Sequence, residues 1–145
     1  MDRLLIFDGA CGTGKTTLRY KLFQDLNYNI LTIDRFTPSQ WVYDRLRGND
    51  NSKEILEFED KMNMLSPIVI ICKCDPMTAI DRARPNDHLR TIEFSIEEQL
   101  LMFDRYFDVS KYSYLYEIDT GINNIDRCVD RIKHIMERIN VKPLI

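Results

Sequence analysis

Residues 9–16 read Gly9-Ala10-Cys11-Gly12-Thr13-Gly14-Lys15-Thr16, which fits the spacing GxxxxGK[ST] without a mismatch. That combination of residue types does phosphate chemistry. Glycines let the backbone bend so that successive N–H groups point inward at phosphate oxygens, and the positive end of a following helix adds to the attraction. At this spacing Lys15 reaches the β- and γ-phosphates of a nucleoside triphosphate, and the Thr16 hydroxyl is a ligand for Mg²⁺. Gly9, Cys11, Gly12, Thr13, Gly14 and the adjoining Thr17 complete the candidate donor site. The chain holds five glycines, and three of them fall inside this loop.

A second cluster of reactive side chains follows at Asp34-Arg35-Phe36-Thr37-Pro38-Ser39-Gln40-Trp41-Val42-Tyr43. A carboxylate beside bound phosphates serves either a metal ion or an acceptor proton, and an adjacent arginine clamps an anion in a bidentate way. Phe36 and Trp41 are candidates to stack on a base. Cys72-Lys73-Cys74-Asp75 lacks the asparagine of a guanine-reading NKxD element, and no DxxG follows the loop, which argues against a regulatory GTPase.

These residues need a scaffold that gathers them. Four short apolar segments, Leu4 to Phe7, Ile30 to Ile33, Ile68 to Cys72 and Tyr114 to Ile118, read as strands. None alternates cleanly, and continuous apolar strands separated by helical stretches are the pattern of a parallel sheet covered on both faces. The class is α/β. The loop then follows the first strand and opens a helix with Leu18, Leu22 and Phe23, while Asp34 and Arg35 lie just past the second strand, where open parallel sheets bind ligands. Ile122, Ile125, Val129, Ile132, Met136 and Ile139 recur at helical spacing as a final sheet-packing stripe. Another helix opens at Ser95, with Glu98 as a capping-box partner, and carries Ile96, Leu100, Leu101 and Phe103. Ser52 reads as the cap of a helix bearing Ile55, Phe58 and Met62, and Asp75-Pro76 as an N-cap followed by a first-turn proline. Asn49 to Ser52 and Arg84 to Arg90 read as exposed loops.

With 145 residues the chain suits one domain over 1–145, and no apolar run approaches the ~20 residues that span a bilayer. A net charge of −3 gives no general reason to bind nucleic acid. Cys11, Cys72, Cys74 and Cys128 form no metal-like set, and with no secretory signal ahead of the first strand the expectation is reduced cysteines in a cytoplasmic protein.

Phe7-Asp8-Gly9-Ala10-Cys11-Gly12-Thr13-Gly14-Lys15-Thr16-Thr17 resembles the opening of the thymidylate kinase family, in which an acidic residue precedes the first glycine and GKTT or GKST closes the loop. Asp34-Arg35-Phe36-x-x-Ser39-x-x-x-Tyr43 is similar to that family's DRY-x-x-S-x-x-A-Y segment, with Phe for the first Tyr and Val for Ala. Pro67 to Arg82 resembles the stretch before the family's lid, and Ile118-Asp119-Thr120-Gly121 its adenine-side loop. The resemblance implies a P-loop kinase fold of the nucleoside monophosphate kinase type, three-layer α/β/α with about four parallel strands, and a short lid over residues 82–95. It implies transfer of the γ-phosphoryl of MgATP to a deoxynucleoside monophosphate. Carried over, Lys15 and Thr16 act on ATP and Mg²⁺, with Asp34 near the metal. Arg35 holds the acceptor phosphate, while Asp8, Phe36, Ser39 and Tyr43 line the acceptor side. Asp119 falls on the adenine side, and Arg82, Arg84 and Arg90 are lid arginines.

Only residues 16–33 separate Lys15 from Asp34, where the family has a further strand and helix. The compact form suggests a phage-encoded enzyme with a four-stranded sheet and an altered acceptor side. Two other readings stay open: a polynucleotide or nucleoside 5′-hydroxyl kinase with Asp34 as general base, and an ATP-binding regulatory module without transfer, which the short lid favours. A small-molecule nucleotide partner, no membrane, and a monomer or homodimer are expected.

Overall fold

The computed structural model describes residues 3–24, 30–86 and 92–139. Its centre is a four-stranded parallel sheet in the order β2-β1-β3-β4, built from β1 (Arg3–Gly9), β2 (Ile30–Asp34), β3 (Ile68–Lys73) and β4 (Tyr114–Asp119). All four predicted strands form, each extended by a residue or more at its C-terminal end. The loop strand β1 is central, so its end opens between β2 and β3.

Both sheet faces are covered, which is why the strands carry no polar alternation. Leu5, Phe7, Ile68, Ile70, Cys72 and Ile118 face α1 (Lys15–Gln24) and the last helix, α6 (Ile125–Arg138), through Leu18, Leu22, Val129, Ile132 and Met136. Leu4, Ile6, Val69 and Ile71 face α2 (Thr37–Leu46), α3 (Ser52–Met62) and α5 (Ile96–Val109) through Trp41, Val42, Ile55, Phe103 and Tyr106. The result is the expected three-layer α/β/α arrangement. A short α4 (Pro76–Ala83) packs through Ala79 and Ala83 against Ile96 and Cys74. Among the described residues no helix is long and apolar enough to cross a membrane.

Local signals succeed where the side chain itself makes the bond. Asp75 accepts from the Thr78 N–H, and Ser95 from the Glu98 N–H, as N-caps. Ser52 does not cap α3: it is the helix's first residue, and its hydroxyl bonds Asp50 instead. The final stripe begins at Ile125 rather than Ile122, because Asn124 caps α6 through the Arg127 N–H and leaves Ile122 outside the helix, 82% exposed. On α5 the inward face carries Gln99 and Tyr106 while Leu101 is exposed. Trp41 is 4% exposed and packs on Tyr106, which removes it as a base-stacking surface. Cys72 is walled into the core, its thiol pushed up to about 12 by burial, and Cys74 lies beyond the strand in the α4 cluster.

Buried in the helical layer is a carboxylate, Glu59 of α3. It accepts from the Tyr106 hydroxyl at 2.7 Å, the Ser110 hydroxyl at 2.8 Å and the Lys111 N–H at 3.2 Å, pinning α3 to the end of α5. Burial against this anion drives the Tyr106 phenol far above its ordinary range. Glu59→Ala strands those donors, so we expect it to lower the unfolding free energy by about 3 kcal/mol or more in urea titrations. Glu59→Gln, which keeps a carbonyl acceptor, should lose less. Parental stability in Glu59→Ala would refute the role.

Candidate active site

Three glycines shape the loop between β1 and α1. Gly9, Gly12 and Gly14 all have positive φ, and a Cβ on Gly12 would run into the Ala79 backbone carbonyl of α4. Thr13 turns inward, its hydroxyl donating to the Ala10 carbonyl at 2.7 Å. Cys11, Gly12, Gly14, Lys15, Thr16 and Thr17 line a cavity of about 690 Å³, whereas Gly9 and Thr13 lie behind it as loop framework.

Asp34 and Arg35 form another part of the cavity wall. Arg35 is in the left-handed region at φ 64°, an uncommon conformation for a side chain of this size. It folds back so that Nη1 donates to the Ser39 hydroxyl at 2.9 Å and approaches the Gly9 carbonyl at 3.3 Å. Its side chain stays 37% exposed toward the cavity. Asp34 turns one carboxylate oxygen, Oδ1, into a buried position with no hydrogen-bond partner.

Asp8 stands behind this wall rather than in it. Fully buried, it accepts from the Gly9, Phe36 and Ser39 N–H groups and the Ser39 hydroxyl, with Arg35 Nη1 3.7 Å away. The expectation that Asp8 contacts substrate therefore gives way to a positioning role. Burial pushes its carboxyl upward, opposed by the Ser39 hydroxyl, the N–H bonds and Arg35. Ser39 is spent in the same network. Phe36 faces away, meeting Phe58 edge-on at 5.9 Å beside α3. Tyr43 presents its ring to Arg35 at 5.7 Å and donates its hydroxyl to Gln99.

On the β4 side, Arg82 reaches the cavity by clamping Thr120, Nη1 to the hydroxyl at 2.8 Å and Nη2 to the carbonyl at 2.7 Å. Arg84 does not: it is exposed and lies 3.9 Å from Asp81. Arg90 lies outside the described residues. Asp119 also misses the cavity, because its Oδ1 accepts from the Gly121 and Ile122 N–H groups and so builds the turn. Asn123, Asn124, Ile125 and Cys128 form that wall instead. Thr120 and Gln99, absent from the sequence-level site, both hold the loop: the Thr120 hydroxyl lies 2.5 Å from the Thr13 carbonyl, and Gln99 accepts from the Cys11 N–H at 2.9 Å.

Strand order, helical layers and a glycine-rich loop joining a central strand to a helix define the P-loop kinase fold. The chain matches no family model, and no curated protein matches it by sequence. Solved structures do match. YorR from Bacillus subtilis, solved in complex with phosphorylated GDP, has a TM-score of 0.71 and 21% identity over 96% of this chain and 99% of its own. Deoxyadenosine kinase from M. mycoides with bound dCTP gives 0.65 and 13%, covering 94% of this chain and 99% of that one. Thymidylate kinase from Candida albicans gives 0.65 and 12%, covering 94% and 91%.

Cations dominate the cavity: Lys15, Arg35 and Arg82 against Asp34. Burial lowers the Lys15 pKa from its ordinary 10.5, Arg35 lowers it further, and Asp8 and Asp34 oppose both. A polyanion beside Lys15 must raise it again, so binding takes up protons wherever the free amine is partly deprotonated. Calorimetric titration of tripolyphosphate at successively more alkaline pH, in buffers of different ionisation enthalpy, should report that uptake. Lys15→Met should abolish it, and buffer-independent heats in the parent would contradict the lowered pKa. Gly12→Ala, with both φ and the Ala79 carbonyl against it, should lose tripolyphosphate binding as well as stability.

Proposed function

We propose that the protein is a kinase that transfers the γ-phosphoryl group of MgATP to a deoxynucleoside monophosphate of the thymidylate kind. The observation that carries this reading is Arg35, a guanidinium fixed by Ser39 and the Gly9 carbonyl in the same cavity that Lys15 and Thr16 line. A cation anchored there matches an acceptor that brings its own phosphate. The likeness of the fold to nucleotide and nucleoside kinases supports the same class.

On this reading the loop N–H groups and Lys15 hold the donor phosphates, and Arg82, next to Gly14, offsets charge on the transferring group. The Thr16 hydroxyl and the unpartnered Asp34 oxygen fit Mg²⁺, a hard cation that takes oxygen ligands and keeps its remaining positions for phosphate and water. That ion, when bound, neutralises phosphate charge. Arg35 orients the acceptor phosphate, whose oxygen is already ionised and needs no base, so catalysis reduces to positioning and electrostatics.

The unpartnered Asp34 oxygen also suits a general base, which a hydroxyl acceptor would require. Incubation with Mg²⁺ and γ-labelled ATP against deoxynucleoside monophosphates, nucleosides and 5′-hydroxyl oligonucleotides separates the two. Label is expected on a monophosphate. Label confined to nucleosides or oligonucleotides would replace this reading with the hydroxyl kinase, and ATP binding without transfer would leave a regulatory module. Lys15→Ala and Asp34→Ala should each reduce turnover on the order of 10²-fold or more. A near-parental rate in Asp34→Ala would remove its assigned role.

A further inference from the structure

The donor loop, the acceptor-side tyrosine and the segment leading into α5 meet at one side chain that belongs to neither sequence motif. Gln99, in the second turn of α5, is 2% exposed. Its Oε1 accepts from the Cys11 N–H and from the Tyr43 hydroxyl, each at 2.9 Å, and its Nε2 donates to the Phe94 carbonyl at 3.0 Å. The Cys11 N–H and Tyr43 O–H both supply protons to this group and the Phe94 carbonyl accepts one. A single orientation of the amide therefore satisfies all three.

The two groups that share Oε1 belong to different segments of the site, the loop after β1 and the helix after β2. Cys11 lies in the loop wall of the cavity. Tyr43 supports the Arg35 guanidinium 5.7 Å from its ring centre, and Arg35 lines the same cavity. One oxygen atom thus ties the loop to the tyrosine whose ring meets Arg35, while the Nε2 bond anchors the amide to the chain just before Ser95. Transfer between two bound phosphates depends on their separation and alignment at the level of about an ångström.

We propose that Gln99 is a positioning residue for phosphoryl transfer, setting the spacing between the donor loop and the acceptor-side Tyr43–Arg35 pair. This inference rests on the kinase reading above. It separates Gln99 from residues that merely bind. Loss of the amide leaves Lys15, Thr16 and Arg35 in place to hold their phosphates, so affinity is retained while alignment is lost. It also sets a condition on any replacement. A carboxylate at this position accepts two bonds but faces the Phe94 carbonyl without a proton to donate, whereas a protonated carboxyl reproduces the amide's whole pattern.

The test is initial-rate kinetics on the full chain with ATP and the deoxynucleoside monophosphate that the parent uses best, together with thermal unfolding of each variant. Gln99→Leu should lower kcat by about 10- to 100-fold while both KM values stay within about threefold. Gln99→Glu should be impaired at alkaline pH and regain rate relative to the parent as pH falls, because the protonated form is the competent one and burial raises its pKa. A rise in either KM with kcat unchanged overturns the proposal. So does a Gln99→Glu to parent rate ratio that is flat with pH. If Gln99→Leu fails to fold, the Gln99→Glu pH ratio decides alone. A parent that phosphorylates no monophosphate overturns the kinase reading and this inference together. With an active parent, the variants judge Gln99 by itself.

Discussion

The buried Asp8 carboxylate is the interaction on which the site's geometry depends. It stands at the end of the central strand with no access to water, so its oxygens must be satisfied inside the protein. They are satisfied by the two segments that the site needs brought together. Oδ1 takes the Gly9 N–H at 2.8 Å and the Ser39 hydroxyl at 2.5 Å, and Oδ2 takes the Ser39 N–H at 2.8 Å and the Phe36 N–H at 3.1 Å. Phe36 occupies the N-cap of α2 yet makes no side-chain cap bond. The cap is supplied from the neighbouring strand by Asp8, whose carboxylate also complements the positive helix terminus. The left-handed backbone at Arg35 lies inside this closure, between the Arg35 N–H bond to the Phe7 carbonyl and the Phe36 N–H bond to Asp8. A strained residue persists where its surroundings over-determine it, and here they aim its guanidinium back over the loop.

The loop is gripped in the same manner on its other sides. Gln99 takes the Cys11 N–H from α5, Thr120 reaches the Thr13 carbonyl from the end of β4, and the Ala79 backbone crowds Gly12 so closely that only a glycine fits. Each grip comes from a different element beyond the strand ends, and two of them consume a polar group of the loop, the Cys11 N–H and the Thr13 carbonyl. The groups that face inward are thereby held before any phosphate arrives. Preorganised dipoles of this kind need no rearrangement at the moment of reaction, which is the condition under which electrostatic stabilisation is largest.

These grips explain which parts of the molecule were legible in the sequence. The loop and the Asp34-to-Tyr43 segment each act over a few consecutive residues, so residue type and spacing carry their chemistry. The strands were legible because burial on both faces leaves an unbroken apolar run. Gln99 and Thr120 bond partners 88 and 107 residues away, and nothing local marks either one. Glu59 is equally silent: in a helix that also carries Glu54, Glu57 and Asp60, it reads as one more solvated charge until Tyr106 and Ser110 arrive. The misreadings have the same origin. Ile122 keeps helical spacing with Ile125 and Leu101 follows an apolar neighbour, but the Asn124 cap and the inward Gln99 decide which side chains are covered. Arg84 looked equivalent to Arg82 because only Thr120 distinguishes them, by clamping one and leaving the other at the surface.

Within the cavity the two signs of charge do not cancel each other, and that mismatch narrows the kind of ligand the site accommodates. Asp34 keeps a buried oxygen without a partner although Lys15 and Arg35 line the same space. Lys15, for its part, lies close enough to Arg35 for repulsion to depress its pKa on top of the effect of burial. A simple cation would relieve Asp34 and worsen the crowding at Lys15. A simple anion would do the reverse. A metal–polyphosphate, the donor of the proposed reaction, would carry both signs at once, with the carboxylate and Thr16 open to its cation and the lysine, the arginines and the loop N–H groups open to its oxygens. The Asp8 bonds hold the segment after Asp34 against the loop, so that carboxylate and cations border one cavity, where a ligand of mixed charge would satisfy both.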